Sequence, residues 1–201
     1  MRMLFLSAAA LALAACASGP TGPDAAARFD TFQAIQTNDF RAYDKVQVLK
    51  PVPGPDVASR IDARTVGRRF DRRPISQQDV DAKMNDLYED LVRELSRHAE
   101  IVDESGPGII TVRTIVTDLD ANRPTMAELT DNPGLSLQSI AAGDAAVRIE
   151  LIEDGQVLAV ITDSDNVNNL GDPRLAGVAI WETADRFFEQ VARKLGDLFA
   201  G

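Results

Sequence analysis

The chain has 201 residues but only one cysteine, one histidine and one tryptophan. A single cysteine, Cys16, has no partner for an internal disulfide, so the fold must be held by its core alone. With one histidine and one thiol the usual zinc ligand sets cannot be assembled. Serine-hydrolase chemistry needs a histidine base beside a nucleophile. His98 instead falls near the end of a helical pattern, beside Arg97 and Glu100, where the helix dipole and solvent suit it. The sequence has neither Gly-x-Ser-x-Gly nor Ser-x-x-Lys. Basic charge is also scarce, with 21 Lys and Arg against 31 Asp and Glu and a net charge of −10. That balance argues against general nucleic-acid binding, which depends on neutralising phosphates.

Long apolar runs are absent apart from one at the start. Met3 to Ala15 carry no charge and follow Arg2. The stretch is shorter than the ~20 apolar residues that span a bilayer, and its layout is that of a secretory signal. It ends in Leu13-Ala14-Ala15-Cys16, which resembles the lipobox of bacterial lipoproteins. The resemblance implies a diacylglycerol on the Cys16 thiol, cleavage after Ala15 and acylation of the new amino group. Several acyl chains form a durable anchor where one is marginal. Ala17 stands where an aspartate would signal inner-membrane retention. By the same analogy the expected location is the outer membrane of a Gram-negative bacterium, facing the periplasm. The rival reading is an ordinary secreted protein with a cysteine beside its cleavage site. Cleavage removes Arg2 and no acidic residue, which moves the net charge from −10 to −11. The covalent lipid is the only non-protein group expected, with no cofactor and no metal.

Residues 1–15 therefore read as the signal, 16–40 as the lipidated N-terminus and tether, and 41–201 as one domain. The Pro- and Gly-broken start of the tether lacks a regular pattern. Phe29, Phe32, Ile35 and Phe40 then suggest a short helix or a strap packed on the domain. Tyr43 to Pro51 alternates as a half-buried strand. Residues 54–74 form a polar connection. From Ser76, a capping pair with Asp79 opens a helix whose Val80, Met84, Leu87, Leu91 and Leu95 make one apolar stripe. Ile101-Val102 suggests a short strand, and Ile109 to Leu119 a long one. Ala145–Glu153 and Val157–Thr162 flank Asp154-Gly155, a strong hairpin signal. Leu175 to Phe199 reads as a last amphipathic helix. The expected fold is α+β, a mostly antiparallel sheet of about four to five strands with two main helices packed on one face.

Several stretches in order carry a family resemblance. They are Tyr43-Asp-Lys-Val-Gln-Val, Gly106 to Leu119, Gly143 to Leu151 with its hairpin partner through Asp163-Ser164, and Trp181 opening the last helix. Together with the lipobox they resemble the bacterial lipoprotein family catalogued as domain of unknown function thirty-three-thirteen, over most of residues 43–199. The hairpin turn, Glu153-Asp154-Gly155-Gln156, is shorter than the Thr-Gly-Glu type usual there. The resemblance implies a periplasm-facing lipoprotein and brings no catalytic residues with it.

The remaining candidates come from the residues themselves. Arg60, Arg64, Arg68, Arg69, Arg72 and Arg73 crowd into fourteen residues of an acidic chain. Guanidinium groups bind phosphate and carboxylate in bidentate fashion, so the cluster could contact an anion or an acidic partner. Equally, it could pair with the domain's own carboxylates. Asp163 to Asp172 is rich in oxygen ligands, but it has Asn168 where an EF-hand needs glycine and Arg174 where it needs glutamate. Gly106-Pro107-Gly108 precedes a strand and reads as a turn rather than a phosphate loop. Trp181 and the phenylalanines of the last helix read as core. The expectation is a non-enzymatic accessory lipoprotein that binds an unidentified envelope protein. Two rivals remain: a small-ligand or lipid binder with an apolar pocket, and an enzyme using only carboxylates such as Asp118, Glu150 and Asp163 converging in one cleft.

Overall fold

The computed structural model describes residues 23–36, 38–63, 73–131, 134, 136, 143–166 and 179–200. In chain order these form α1 (Pro23–Ala26), β1 (Thr31–Ala34), a 3-10 turn (Phe40–Ala42), β2 (Lys45–Val48), β3 (Val52–Pro53) and α2 (Pro55–Ala58). There follow α3 (Gln77–Leu95), β4 (Glu100–Ile101), β5 (Ile109–Asp120), α4 (Met126–Asp131), β6 (Asp144–Glu153), β7 (Gln156–Asn166) and α5 (Glu182–Phe199).

Seven strands form one sheet in the order β1-β7-β6-β5-β2-β4, with β3 pairing to β5. β1, β7, β6 and β5 are antiparallel neighbours, whereas β2 runs parallel to both β4 and β5, and β3 runs parallel to β5. The sheet is therefore mixed, and the expectation of a mostly antiparallel sheet of four to five strands is corrected. The parallel half arises because α3 returns the chain across the sheet, so the strands that follow enter in the same direction as β2. The two strands beyond the expected five are β1, four residues long, and β3, two residues long. Both are too short for alternation to register as a pattern. β1 comes from within residues 16–40, so part of the segment read as tether is an edge strand of the domain.

Period-two alternation sends Val46, Val48, Ile110, Val112, Val147, Ile149, Leu151, Ala159 and Ile161 to one face, where all are buried. The α3 stripe of Val80, Met84, Leu87, Leu91 and Leu95 packs there. So does the α5 stripe of Ala184, Phe187, Val191, Leu195 and Leu198, and the two helices also pack on each other. The capping pair at the head of α3 forms as expected. Ser76 Oγ accepts from the Asp79 amide at 3.0 Å and donates to Asp79 Oδ2 at 2.7 Å. In the β6–β7 turn, Asp154 (φ 46°) and Gly155 (φ 77°) take the left-handed angles that a two-residue hairpin demands.

The start of α5 is held differently. Its N-cap, Trp181, makes no side-chain capping bond. Asn122, just beyond β5, substitutes for it. Asn122 Oδ1 accepts from the Thr183 amide at 2.8 Å and Nδ2 donates to Thr183 Oγ1 at 2.8 Å, while the Asn122 amide donates to the Ile180 carbonyl at 2.7 Å. Asn122 and Thr183 are fully buried, and a Cβ added to Gly143 would clash with the Asn122 side chain. Asn122→Ala strands a buried amide and should cost about 2 kcal/mol in urea denaturation. Gly143→Ala disturbs the same clamp, so the double variant should lose less than the two single losses combined.

Candidate functional site

A β-bulge at Thr117 shifts the register between Val116 and Asp118, which reverses the parity of β5. Leu119 is then buried, while Asp118 and Asp120 sit opposite Ala146 and Asp144 of β6. Three carboxylates thus gather on neighbouring strands, with Asp165 of β7 close by. Arg60, which follows α2, reaches into this group. Its Nη1 donates to Asp120 Oδ1 at 2.5 Å and its Nη2 to Asp118 Oδ1 at 3.1 Å and to the Leu119 carbonyl at 2.9 Å. Arg60 is only 4% exposed, so its guanidinium belongs to the fold rather than to the surface. Arg73, at the other end of the arginine-rich segment, donates to the Ala121 carbonyl at 2.5 Å and lies 3.7 Å from Glu128 Oε1. The two arginines attach the segment to the same end of β5. Arg64, Arg68, Arg69 and Arg72 lie outside the described residues, as do Leu13, Ala14, Ala15 and Cys16.

Asp144 has no ion pair among the described residues. Burial, followed by the negative charges of Asp118, Asp120 and Asp165, pushes its carboxyl up to about 6. The fold therefore binds this proton more tightly than the unfolded chain, whose aspartates titrate near ~3.9. Stability from this group is therefore complete below about pH 4 and is lost as pH rises through about 6.

Farther along the same sheet face, opposite the long helices, lies a second set of charges. By register, Gln33, Val160, Glu150 and Arg113 form one row across β1, β7, β6 and β5, and Thr31, Thr162, Arg148 and Ile115 form the next. Arg113 Nε donates to Glu150 Oε2 at 2.6 Å, Arg113 Nη2 bonds the same oxygen, and Arg148 Nη1 bonds Oε1. Glu150 is 6% exposed beneath side chains of Arg113 and Arg148 that remain 48% and 39% exposed. Burial pushes the Glu150 carboxyl up, but the hydrogen bonds of the two arginines outweigh it and leave it below its ordinary value. The Arg113–Glu150–Arg148 group therefore carries a surplus positive charge, although Asp118, Asp120 and Asp144 lie farther along the same face. Neither arginine stands out in the sequence, although residues two apart on a strand share a face and so place Arg148 beside Glu150.

Asp163 turns to the helix side. It is buried, accepts from Lys194 Nζ at 2.6 Å and from the Asp30 amide at 3.2 Å, and lies where burial raises its carboxyl against the pull of Lys194. Asp118, Glu150 and Asp163 therefore occupy three separate settings, each with its own cation, and share no cleft. Two oxygen ligands of the calcium-like stretch are likewise engaged, Asp163 by Lys194 and Asp165 by Arg186. The rest of that stretch, from residue 167, lies outside the described residues. Among the described residues no group of three or more His, Cys, Asp or Glu is arranged to hold a metal ion. His98 is exposed in the turn after α3, and Trp181, Phe187, Phe188 and Phe199 are buried. Gly106-Pro107-Gly108 forms the turn into β5, with Gly108 at φ 76° and its amide donating to Glu153 Oε1 at 2.8 Å.

A cleft of about 460 Å³ lies between the β2 edge and α3, lined by residues that include Leu49, Lys50, Tyr88, Ile101 and Asp103. No helix among the described residues is long and apolar enough to cross a membrane.

The family described as "Protein of unknown function (DUF3313)" matches residues 56–195. No curated protein matches the chain. Among solved structures, the PelC dodecamer from Paraburkholderia phytofirmans is similar at 10% identity and a TM-score of 0.43, covering 82% of this chain and 97% of that one. Protein XCC0632 from Xanthomonas campestris is similar at 12% identity and a TM-score of 0.39, over 76% and 81% of the two chains. Hypothetical protein CT253 from Chlamydia trachomatis is similar at 8% identity and a TM-score of 0.43, over 79% and 99%.

Asp144→Asn should raise the thermal midpoint at about pH 8, and the gain should shrink to nothing near pH 4, where the native carboxyl is already protonated. Arg60→Met should instead cost about 3 kcal/mol at neutral pH, because Asp118 and Asp120 lose their counter-ion. Thermal and urea unfolding followed by circular dichroism read both effects.

Proposed function

The chain belongs to this family of unknown function, and on that premise we propose that it is a lipid-anchored envelope protein that binds a protein partner in the periplasm. The observation that carries the anchor is Leu13-Ala14-Ala15-Cys16 at the end of an uncharged stretch, with the chain's sole cysteine at the position the lipid requires. The outer membrane of a Gram-negative bacterium is the proposed location. Binding rather than catalysis is supported by the separation of Asp118, Glu150 and Asp163, since general acid–base work needs such groups to converge on one reacting centre. The surface proposed for the partner is the open sheet face, where Arg113 and Arg148 present exposed guanidinium above the buried Glu150. An acidic patch on an envelope protein complements it. The six-arginine segment from Arg60 to Arg73 supplies further contacts through Arg64, Arg68, Arg69 and Arg72.

The second reading is a small-ligand or lipid-binding lipoprotein. It rests on the cleft beside β2, whose volume falls in the range of ligand sites.

The anchor is tested by growing expressing cells with an alkyne-tagged fatty acid and fractionating them. The wild-type chain should take up the label and sediment with outer membranes. Cys16→Ala should take up none. Label that persists in Cys16→Ala, or a wild-type chain released unlabelled into the soluble periplasm, contradicts the proposal.

A further inference from the structure

The sheet has two edges, and only one is defended. On one side β4 is two residues long, and beyond it the run from β2 to β3 carries Lys50, Pro51 and Pro53. Lysine, proline and shortness are devices that block strand addition. On the other side β1 pairs with β7 alone. The Ile35 amide donates to the Leu158 carbonyl at 2.8 Å, in register with Gln33 opposite Val160 and Thr31 opposite Thr162. Antiparallel alternation then turns the backbone groups of Thr31, Gln33 and Ile35 toward β7 and those of Phe32 and Ala34 outward. Among the described residues no backbone group meets them. Gln33 and Ala34 are exposed, and Ile35 is 54% exposed. Residues 31–38, Thr-Phe-Gln-Ala-Ile-Gln-Thr-Asn, hold neither charge nor proline in a chain that is 26% charged.

We propose that β1 pairs antiparallel with β1 of a second copy, about a twofold axis through Gln33, and joins the two sheets edge to edge. Two copies at −10 each repel, so a mutual contact belongs where both are uncharged. The register is self-complementary. With Gln33 on the axis, Phe32 lies opposite Ala34 of the second copy, which sets a large residue against a small one and joins the outward backbone groups of both. The two Gln33 amides meet, Thr31 faces Ile35, and Asp30 faces Gln36 rather than another acid. Moving the axis to Phe32 would set Ala34 opposite Asp30, and moving it to Ala34 would set Phe32 opposite Gln36. The axis stands perpendicular to the sheet, so both helix layers lie on one side and the two open faces merge into one surface.

The test is oxidative cross-linking of the full-length protein in membranes, with single cysteines placed along the edge. Gln33→Cys should give a disulfide-linked dimer on a non-reducing gel, because the two positions are cross-strand neighbours. Thr31→Cys and Gln36→Cys should not, since their copies lie several residues apart in this register, and the chain without an added cysteine is the blank. Ala34→Pro in the Gln33→Cys background removes only an outward amide, so it should keep the thermal midpoint and abolish the dimer. Equal cross-linking at all three positions would overturn the proposal. So would no cross-linking at Gln33→Cys, a Gln33→Cys adduct to a different protein, or a dimer indifferent to Ala34→Pro.

Discussion

The structure depends on one-sided burial of a sheet by alternation along β5, β6 and β7, interrupted by bulges at Thr117 and Leu158. With no disulfide available, the core must supply the stability, and a sheet that feeds most of its large apolar side chains to one face concentrates them against two helices. Leu87, Leu91, Leu95, Phe187, Val191 and Leu195 meet Ile110, Ile149, Leu151 and Ile161 there. A one-residue slip between these strands would turn the whole set outward. The Asp154-Gly155 turn sets the registration of the β6–β7 hairpin, and the bulge at Thr117 is where β5 departs from the pattern.

The same alternation sorts the charges. On the helix side an acid is tolerated only where a cation from α5 reaches it, as Lys194 does for Asp163 and Arg186 for Asp165. On the open side Glu150 is covered by two arginines that stay exposed, so the group they form is net positive. At the bulge, Arg60 neutralises Asp118 and Asp120 and leaves Asp144 to bear the residual repulsion. The charge pattern thus gives Asp118, Asp120, Glu150, Asp163 and Asp165 each a cation and leaves the guanidinium groups of Arg113 and Arg148 exposed on the open face.

The long elements were legible from the residues because they repeat. Five positions at spacings of three and four defined α3, and Asp154-Gly155 between two apolar runs defined the hairpin. The parallel half of the sheet was not legible, since β2 has the same alternation whichever way its neighbours run, and pairing direction is decided by a crossover tens of residues away. β1 and β3 are shorter than the period needs in order to show itself. Candidate sites followed the same division. The arginine run was visible as composition, but nothing local showed that Arg60 is buried against Asp118 and Asp120, because those partners are fifty-eight and sixty residues distant. The Arg113–Glu150–Arg148 group was likewise split over two strands, and Asn122 gave no sign of capping a helix that begins at Glu182. The family resemblance depended on the order of several weak stretches, so it located the domain and left the contacts undetermined.

The central claim is that β6 divides a buried helix side from an open side available for contact. The direct measurement is the rate of thiol labelling after single cysteine substitution at each position from Val147 to Ile152. Arg148 and Ile152 should label fast, while Val147, Ile149 and Leu151 should label only as fast as the protein unfolds. Glu150→Cys should label at an intermediate rate, beneath its two arginines. Uniformly slow labelling along the strand would mean that the supposed open face is covered, and uniformly fast labelling would mean that the one-sided core does not exist.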